Sequence, residues 1–214
     1  MQQIIPTLND AGTTVAGEDW TGVARVADGY VSGSCVVQES GIFVLTAGHV
    51  IESLDLTQTQ VTFDVNGKTE VRDVIGSVTY SQYAITDFGV WHDVGLLVLD
   101  QAAPVGAERY ELYRNTDEVG QEVNLVGYGA SADRQAGANV IQSLGSRVMH
   151  RGSVEDQLAF NADTGAIITP GDSGGGMFLQ DEDPLLAGIH SYILSTDLDT
   201  VADLASDDGA AHVK

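Results

Sequence analysis

The chain has 214 residues, 43% of them hydrophobic, enough to bury one sizeable domain or two small halves sharing an interface. Its 25 glycines, only 4 prolines and lack of any low-complexity tract exclude a collagen-like or disordered chain, and no apolar run approaches the ~18 residues of a membrane-spanning helix. With 31 acidic residues against 9 basic ones the formal net charge is -22, a surface that repels phosphate backbones and so argues against nucleic acid and anionic membranes as partners. One consequence is a hypothesis of adaptation to salty water, where self-repulsion is screened and activity and melting temperature hold or rise with added salt.

In chain order, Met1 to Pro6 shows neither a basic n-region nor a long apolar h-region. Cys35 is the only cysteine, so no internal disulfide forms, and its apolar setting between Val31 and Val37 predicts a buried, inert thiol. Ile42 to Leu45 is a nearly continuous apolar run, as is Val94 to Leu99, and both are expected as strands buried on two faces. Between them, His49 to Ser53 can form one helical turn. Val61 to Val65 alternates apolar and polar residues before Asn66-Gly67, a strong hairpin signal, with Thr69 to Ile75 as the return strand. The polar stretch Gln101 to Gly120 reads as a joint between two halves. Glu122 to Val126, Met177 to Leu179 and Leu185 to Ile189 supply further strands; Asp197 to Leu204 is expected as a short helix, and 206–214 as a frayed tail. Many short strands with glycine turns predict an all-β protein, sandwich or barrel.

Three segments carry chemistry. Leu45-Thr46-Ala47-Gly48-His49-Val50 places a histidine directly after a strand. His92-Asp93-Val94-Gly95-Leu96-Leu97 places a carboxylate at the mouth of another. Pro170-Gly171-Asp172-Ser173-Gly174-Gly175-Gly176 surrounds a serine with glycines, which let backbone N–H groups turn toward a substrate carbonyl. Hydrolysis of an amide by serine needs a nucleophile, a base and an acid that fixes the base's tautomer. Singly, each residue is more readily a turn serine, a structural histidine or a strand-end aspartate. Asp87 and Asp100 are rival carboxylates without the Val-Gly-Leu-Leu run that follows Asp93. His92, His150 and His212 read as surface residues, and the acidic runs at 181–183 and 197–203 lack the ligand pattern of a calcium loop.

These boxes, in this order, resemble the histidine, aspartate and serine boxes of the chymotrypsin/trypsin family, and specifically its bacterial secreted members. Gly127-Tyr128-Gly129 is similar to the family's glycine-aromatic-glycine element, and Gly188-Ile189-His190-Ser191-Tyr192 to its cleft-lining strand; the match runs from about Trp20 to Tyr192. The resemblance implies two six-stranded antiparallel β-barrels, about 20–105 and about 118–200, with the active site in the cleft between them. It implies Ser173 as nucleophile, His49 as general base and Asp93 as its orienter, and an oxyanion hole from the N–H groups of Gly171 and Ser173. No cofactor or metal is implied, the substrate is a protein or peptide, and the enzyme is a monomer, secreted or periplasmic.

The family pattern is not followed throughout. Asp172 resembles the aspartate that receives a freed N-terminal amine, so residues 1–14 are expected as a pro-segment and 15–205 as the peptidase domain, although no Arg or Lys precedes Thr14-Val15-Ala16-Gly17. Ile167 stands six residues before Ser173, where trypsins have an acid, and Ile193 stands where a glycine keeps many pockets open. Both argue for a small or apolar P1 residue. His190 resembles the histidine by which glutamate-specific relatives bind an acidic P1, or is a buried strand residue. Ser191, Tyr192 and Ile193 are expected to pair with substrate backbone. Two other readings remain: a protease fold retained for binding with catalysis lost, and an α/β-hydrolase esterase, disfavoured because only 41 residues follow Ser173.

Overall fold

The computed structural model describes residues 20–28, 32–37, 40–86, 89–129, 133–144, 147–149, 152–154, 157–160, 165–166, 168, 170–180, 183–194 and 207–212, some strand residues by backbone alone. Strands β1 (Val23–Ala27), β2 (Ser32–Val37) and β3 (Phe43–Thr46) precede a single helical turn, α1 (Gly48–Ser53), followed by β4 (Gln60–Val65), β5 (Lys68–Thr79), the short pair β6 (Ala84–Thr86) and β7 (Gly89–Trp91), and β8 (Gly95–Leu99). The second half contains β9 (Glu122–Gly127), β10 (Gln135–Val140), β11 (Ser143–Leu144), β12 (Arg147–Met149), β13 (Gly152–Val154), β14 (Gln157–Phe160), β15 (Gly176–Leu179), β16 (Leu185–Leu194) and β17 (Asp207–His212).

The first half closes into a six-stranded antiparallel barrel in the order β1-β2-β3-β8-β5-β4. The expected hairpin forms one of its corners. Asn66 and Gly67 both take left-handed backbone, φ 53° and 69°, which gives the two-residue turn the twist its flanking strands need. Alternation along β4 sends Val61, Phe63 and Val65 inward, where they meet Val44, Leu97 and Leu99. Each such side chain contributes roughly 1.5–3 kcal/mol on full burial.

The two apolar runs divide their faces differently from the expectation. Along β8, Leu97 and Leu99 fill the barrel, while Leu96 and, just before the strand, Val94, both half-buried, pack toward the second half. In the Ile42 to Leu45 run, Ile42 and Phe43 stay on the surface, 42% and 39% exposed. A closed barrel has one interior, so an outward residue is covered only where something docks on it.

In the second half, seven strands form an antiparallel sheet, β10-β9-β15-β16-β17-β14-β11, with β12–β13 as a separate hairpin. The 206–214 segment, expected to fray, instead supplies β17, which pairs with β16 on one side and β14 on the other. Ladder hydrogen bonds need no hydrophobic side chains, so an Asp-Asp-Gly-Ala-Ala sequence can fill a gap between strands. The helix expected over 197–204 lies outside the described residues. Between the halves, Trp20, Tyr110 and Phe178 stack with ring centroids 4.5 to 6.2 Å apart, joined by Val23, Leu45, Val126 and Ile189. Arg134 ties the same seam, donating to the carbonyls of Val23 (2.8 Å) and Asp64 (3.0 Å).

Candidate active site

α1 begins immediately after β3, and no side chain caps its first turn. The missing acceptor comes from far along the chain. Asp93, at the turn between β7 and β8, accepts the His49 backbone N–H on Oδ1 at 2.9 Å and the His49 Nδ1–H on Oδ2 at 2.7 Å. One carboxylate therefore fixes both the helix start and the ring, and Nδ1–H donation leaves Nε2 as the acceptor nitrogen. The turn that delivers Asp93 is tight: His92 has φ 48° and its carbonyl accepts the Val94 N–H at 2.8 Å. His92, expected on the surface, is half-buried, its ring 5.4 Å from that of Tyr80.

Asp93 has no exposed surface and receives a third donor, Ser191 Oγ, at 2.5 Å on Oδ2. Ser191 owes this aim to an irregularity: the β16–β17 register shifts between His190 and Tyr192, so Ser191 is the extra residue of a bulge. Burial pushes the Asp93 carboxyl up, but the hydrogen bonds and charge of His49, with the Ser191 hydroxyl, outweigh it and the net shift is downward. The carboxylate is thus held ionised beside the imidazole.

Ser173 lies on the other side of Ser191, its Oγ donating to the Ser191 carbonyl at 3.4 Å. His49, Asp93, Ser191 and Ser173 thereby form one cluster drawn from both halves, with Ser191 touching acid and hydroxyl at once. The serine loop is pinned to β16: Gly174 N–H donates to the His190 carbonyl and His190 N–H to the Gly175 carbonyl, both at 2.8 Å. Its glycines are steric requirements. At Gly171, φ 100°, a Cβ would sit 2.1 Å from the Gly129 carbonyl oxygen; at Gly127 it would sit 2.3 Å from Asp172 Oδ1. The Gly127-Tyr128-Gly129 element is therefore the floor against which the serine loop closes.

His190 points away from solvent. Its ring is fully buried behind Gly175, neither nitrogen has a hydrogen-bond partner among the described residues, and burial lowers its pKa to about 3. Ile167 lies outside the described residues; Tyr192 and Ile193 continue β16, but only their backbone is described. The rival Asp100 is exposed and accepts the Asp73 N–H at 3.0 Å, while Asp87, His150 and residues 181–182 lie outside the described set, as does the Cys35 side chain. Among the described residues no group of three or more His, Cys, Asp or Glu could hold a metal.

The family model for trypsin matches residues 11–205. The chain belongs to the trypsin family. Solved structures agree on the fold, which is the chymotrypsin-like one. A mutant of human heparin-binding protein superimposes with a TM-score of 0.74 at 16% identity, covering 94% of this chain and 90% of its own. Neuropsin, a serine protease expressed in the limbic system of mouse brain, gives 0.74 at 18%, covering 94% and 93%. No curated protein matches the sequence. Membership of the trypsin family makes the protein a serine protease hydrolase by family, with proteins or peptides as its class of substrate.

Within this family site, sequence reading missed two things. Ser191 was expected to pair with substrate backbone, and nothing in the sequence signalled the bond that its side chain makes to Asp93. Tyr83, whose ring lies against Gly48, gave no signal at all, being 34 positions from His49 in a polar loop.

Proposed function

We propose that the protein is an active serine endopeptidase of the bacterial secreted or periplasmic type, with His49, Asp93 and Ser173 as its triad. The observation that carries this reading is the buried Asp93 carboxylate, bonded at 2.7 Å to His49 Nδ1 and at 2.5 Å to the same Ser191 whose carbonyl receives Ser173 Oγ. The reading requires Ser173 Oγ to leave that long 3.4 Å contact and donate to His49 Nε2.

Ser173 Oγ then attacks the scissile carbonyl carbon as its proton passes to His49 Nε2, and the carbonyl π pair moves to oxygen. The N–H groups of Gly171 and Ser173 would stabilise that oxyanion, each worth about 2.7–4 kcal/mol in serine proteases generally. Collapse breaks the C–N bond, His49 protonates the leaving amine, and an acyl-enzyme remains on Ser173. Water, deprotonated by His49, reverses the sequence and releases the acid. Asp93 stays ionised throughout, which fits the downward shift of its carboxyl.

For P1 we infer a small apolar residue. His190 offers an acidic side chain neither an exposed face nor a standing positive charge. The acidic alternative is favoured by one observation, that neither ring nitrogen has a partner among the described residues, so that an N–H could donate to a substrate carboxylate. Peptide-library cleavage separates the two, and preferred cutting after Arg or Lys would refute both.

Recognition without catalysis is the other class of function. The heparin-binding neighbour makes a polyanion the obvious ligand, yet a chain of net charge -22 repels one. A fluorophosphonate probe decides: the folded protein is expected to label at one site, and Ser173→Ala to abolish labelling. A folded, processed chain that never labels is a binding module.

A further inference from the structure

Beside His49 stands a second carboxylate that the triad does not use. Glu52 lies three residues on along α1, and on a helix such residues face the same side with Cβ atoms roughly 5–6 Å apart. Its Oε2 accepts the Tyr83 hydroxyl at 3.1 Å. Tyr83 comes from the loop between β5 and β6, where its N–H is fixed to the Tyr80 carbonyl at 2.9 Å. Its ring lies close enough to Gly48 that a Cβ there would be 2.9 Å from Tyr83 Cδ2. On the other side of the turn Ile51 occupies the space over Gly95, where a Cβ would meet Ile51 Cδ1 at 2.5 Å. The helical turn is thus clamped between two glycine contacts, and the Tyr83 hydroxyl holds its one free carboxylate.

We propose that Tyr83 is a positioning residue for the reaction, seating α1 by its ring and parking the Glu52 carboxylate away from the His49 imidazole by its hydroxyl. The inference rests on the reading of His49 as general base. Two carboxylates on one imidazole would over-stabilise its protonated form and remove the base at neutral pH; a tethered Glu52 leaves Asp93 as the sole acid in contact. The tether persists across the working pH range, because burial, then the hydrogen bond to Glu52, then the Glu52 and Asp93 charges push the Tyr83 hydroxyl far above the usual tyrosine range. Among the described residues the ionisable groups around His49 are Asp93 from the β7–β8 turn, Glu52 on α1 and Tyr83; His92 is stacked on Tyr80, and Asp172 lies against Gly127 in the second half.

Tyr83→Phe keeps the ring and frees Glu52. The acidic limb of kcat/KM is expected to move to higher pH by about 0.5–1 unit, with the high-pH plateau within twofold of the parent, and Tyr83→Phe/Glu52→Gln should return the limb to its original position. The same displacement should appear at the His49 ring protons by NMR in a Ser173→Ala background, a readout independent of turnover. A merely structural tyrosine would lower the plateau and leave the limb in place, and that result overturns the proposal, as does a double variant that keeps the shift. Should Tyr83→Phe fail to fold, Glu52→Gln alone decides: a limb within about 0.2 unit of the parent supports a parked carboxylate, and a drop as large as the rise above means Glu52 already acts on the ring. A parent protein with no Ser173-dependent turnover, but with the NMR shift present, would sink the enzyme reading and leave the tether standing.

Discussion

Asp93 and His190 are both fully buried ionisable side chains within the same cluster of strands, and their surroundings push them to opposite outcomes. Asp93 accepts three hydrogen bonds and keeps its charge. His190 has none for either ring nitrogen among the described residues, so burial alone acts on it and the ring stays neutral down to a pKa of about 3. The sign of its effect on stability follows. Below the ordinary histidine value of 6.5 the unfolded chain takes up a proton that the folded chain refuses, so this contribution is fully present above pH 6.5 and is lost as pH falls toward 3, at up to about 1.4 kcal/mol per pH unit. His190→Leu, which also removes a buried polar group costing roughly 1–3 kcal/mol, should unfold at higher urea than the parent at pH 5. The gap should narrow at pH 7.5. Parallel stability curves across that range would mean that the ring finds a partner in solution. The residue type was visible in the sequence; its burial depends on Gly175 closing over it, which no local pattern encodes.

At the scale of elements, glycine marks two kinds of turn that look alike in sequence and differ in consequence. Gly67, at the tip of the β4–β5 hairpin, has φ 69° and open space where a Cβ would go. Gly171, φ 100°, has the Gly129 carbonyl oxygen there at 2.1 Å. Gly67→Ala should therefore cost only the left-handed backbone penalty, about 1–2 kcal/mol, with probe labelling of Ser173 unchanged. Gly171→Ala must move the serine loop off its floor, and labelling should fall at least a hundredfold while the melting temperature changes little more than in Gly67→Ala. Equal labelling in the two variants would detach Gly171 from the site. The hairpin was legible because Asn-Gly after an alternating strand is a local code. So were the one-turn helix and the strands bearing the three boxes. β17 was not, because its six residues hold their place by backbone pairing with strands remote in sequence. The Ile42 to Leu45 run misled for a related reason: periodicity reports apolar faces, and only barrel closure decides which face finds a partner.

Across the whole molecule, charge is the property that sequence states outright and that the fold interprets. A net charge of -22 on 214 residues is a large self-repulsion, and 9 basic side chains can offset only part of the charge of 31 acidic ones. The acid–base contacts within 4 Å include His49–Asp93, inside the site, and Arg72–Glu70 at 3.0 Å on the surface. An exposed pair of that kind contributes about 0–1 kcal/mol, so screening it forfeits little. Screening the surplus carboxylates gains more, since the Debye length shrinks from roughly 10 Å at 0.1 M to 3 Å at 1 M salt. The buried Asp93 pair is sheltered from the solvent ions that do this. Raising sodium chloride from 0.05 to 1 M should therefore lift the melting temperature by several degrees and leave Ser173 labelling constant or faster, with potassium chloride giving the same curve because the effect is one of ionic strength. A steady decline of both quantities with either salt would show that specific surface pairs, rather than net repulsion, govern this protein's stability.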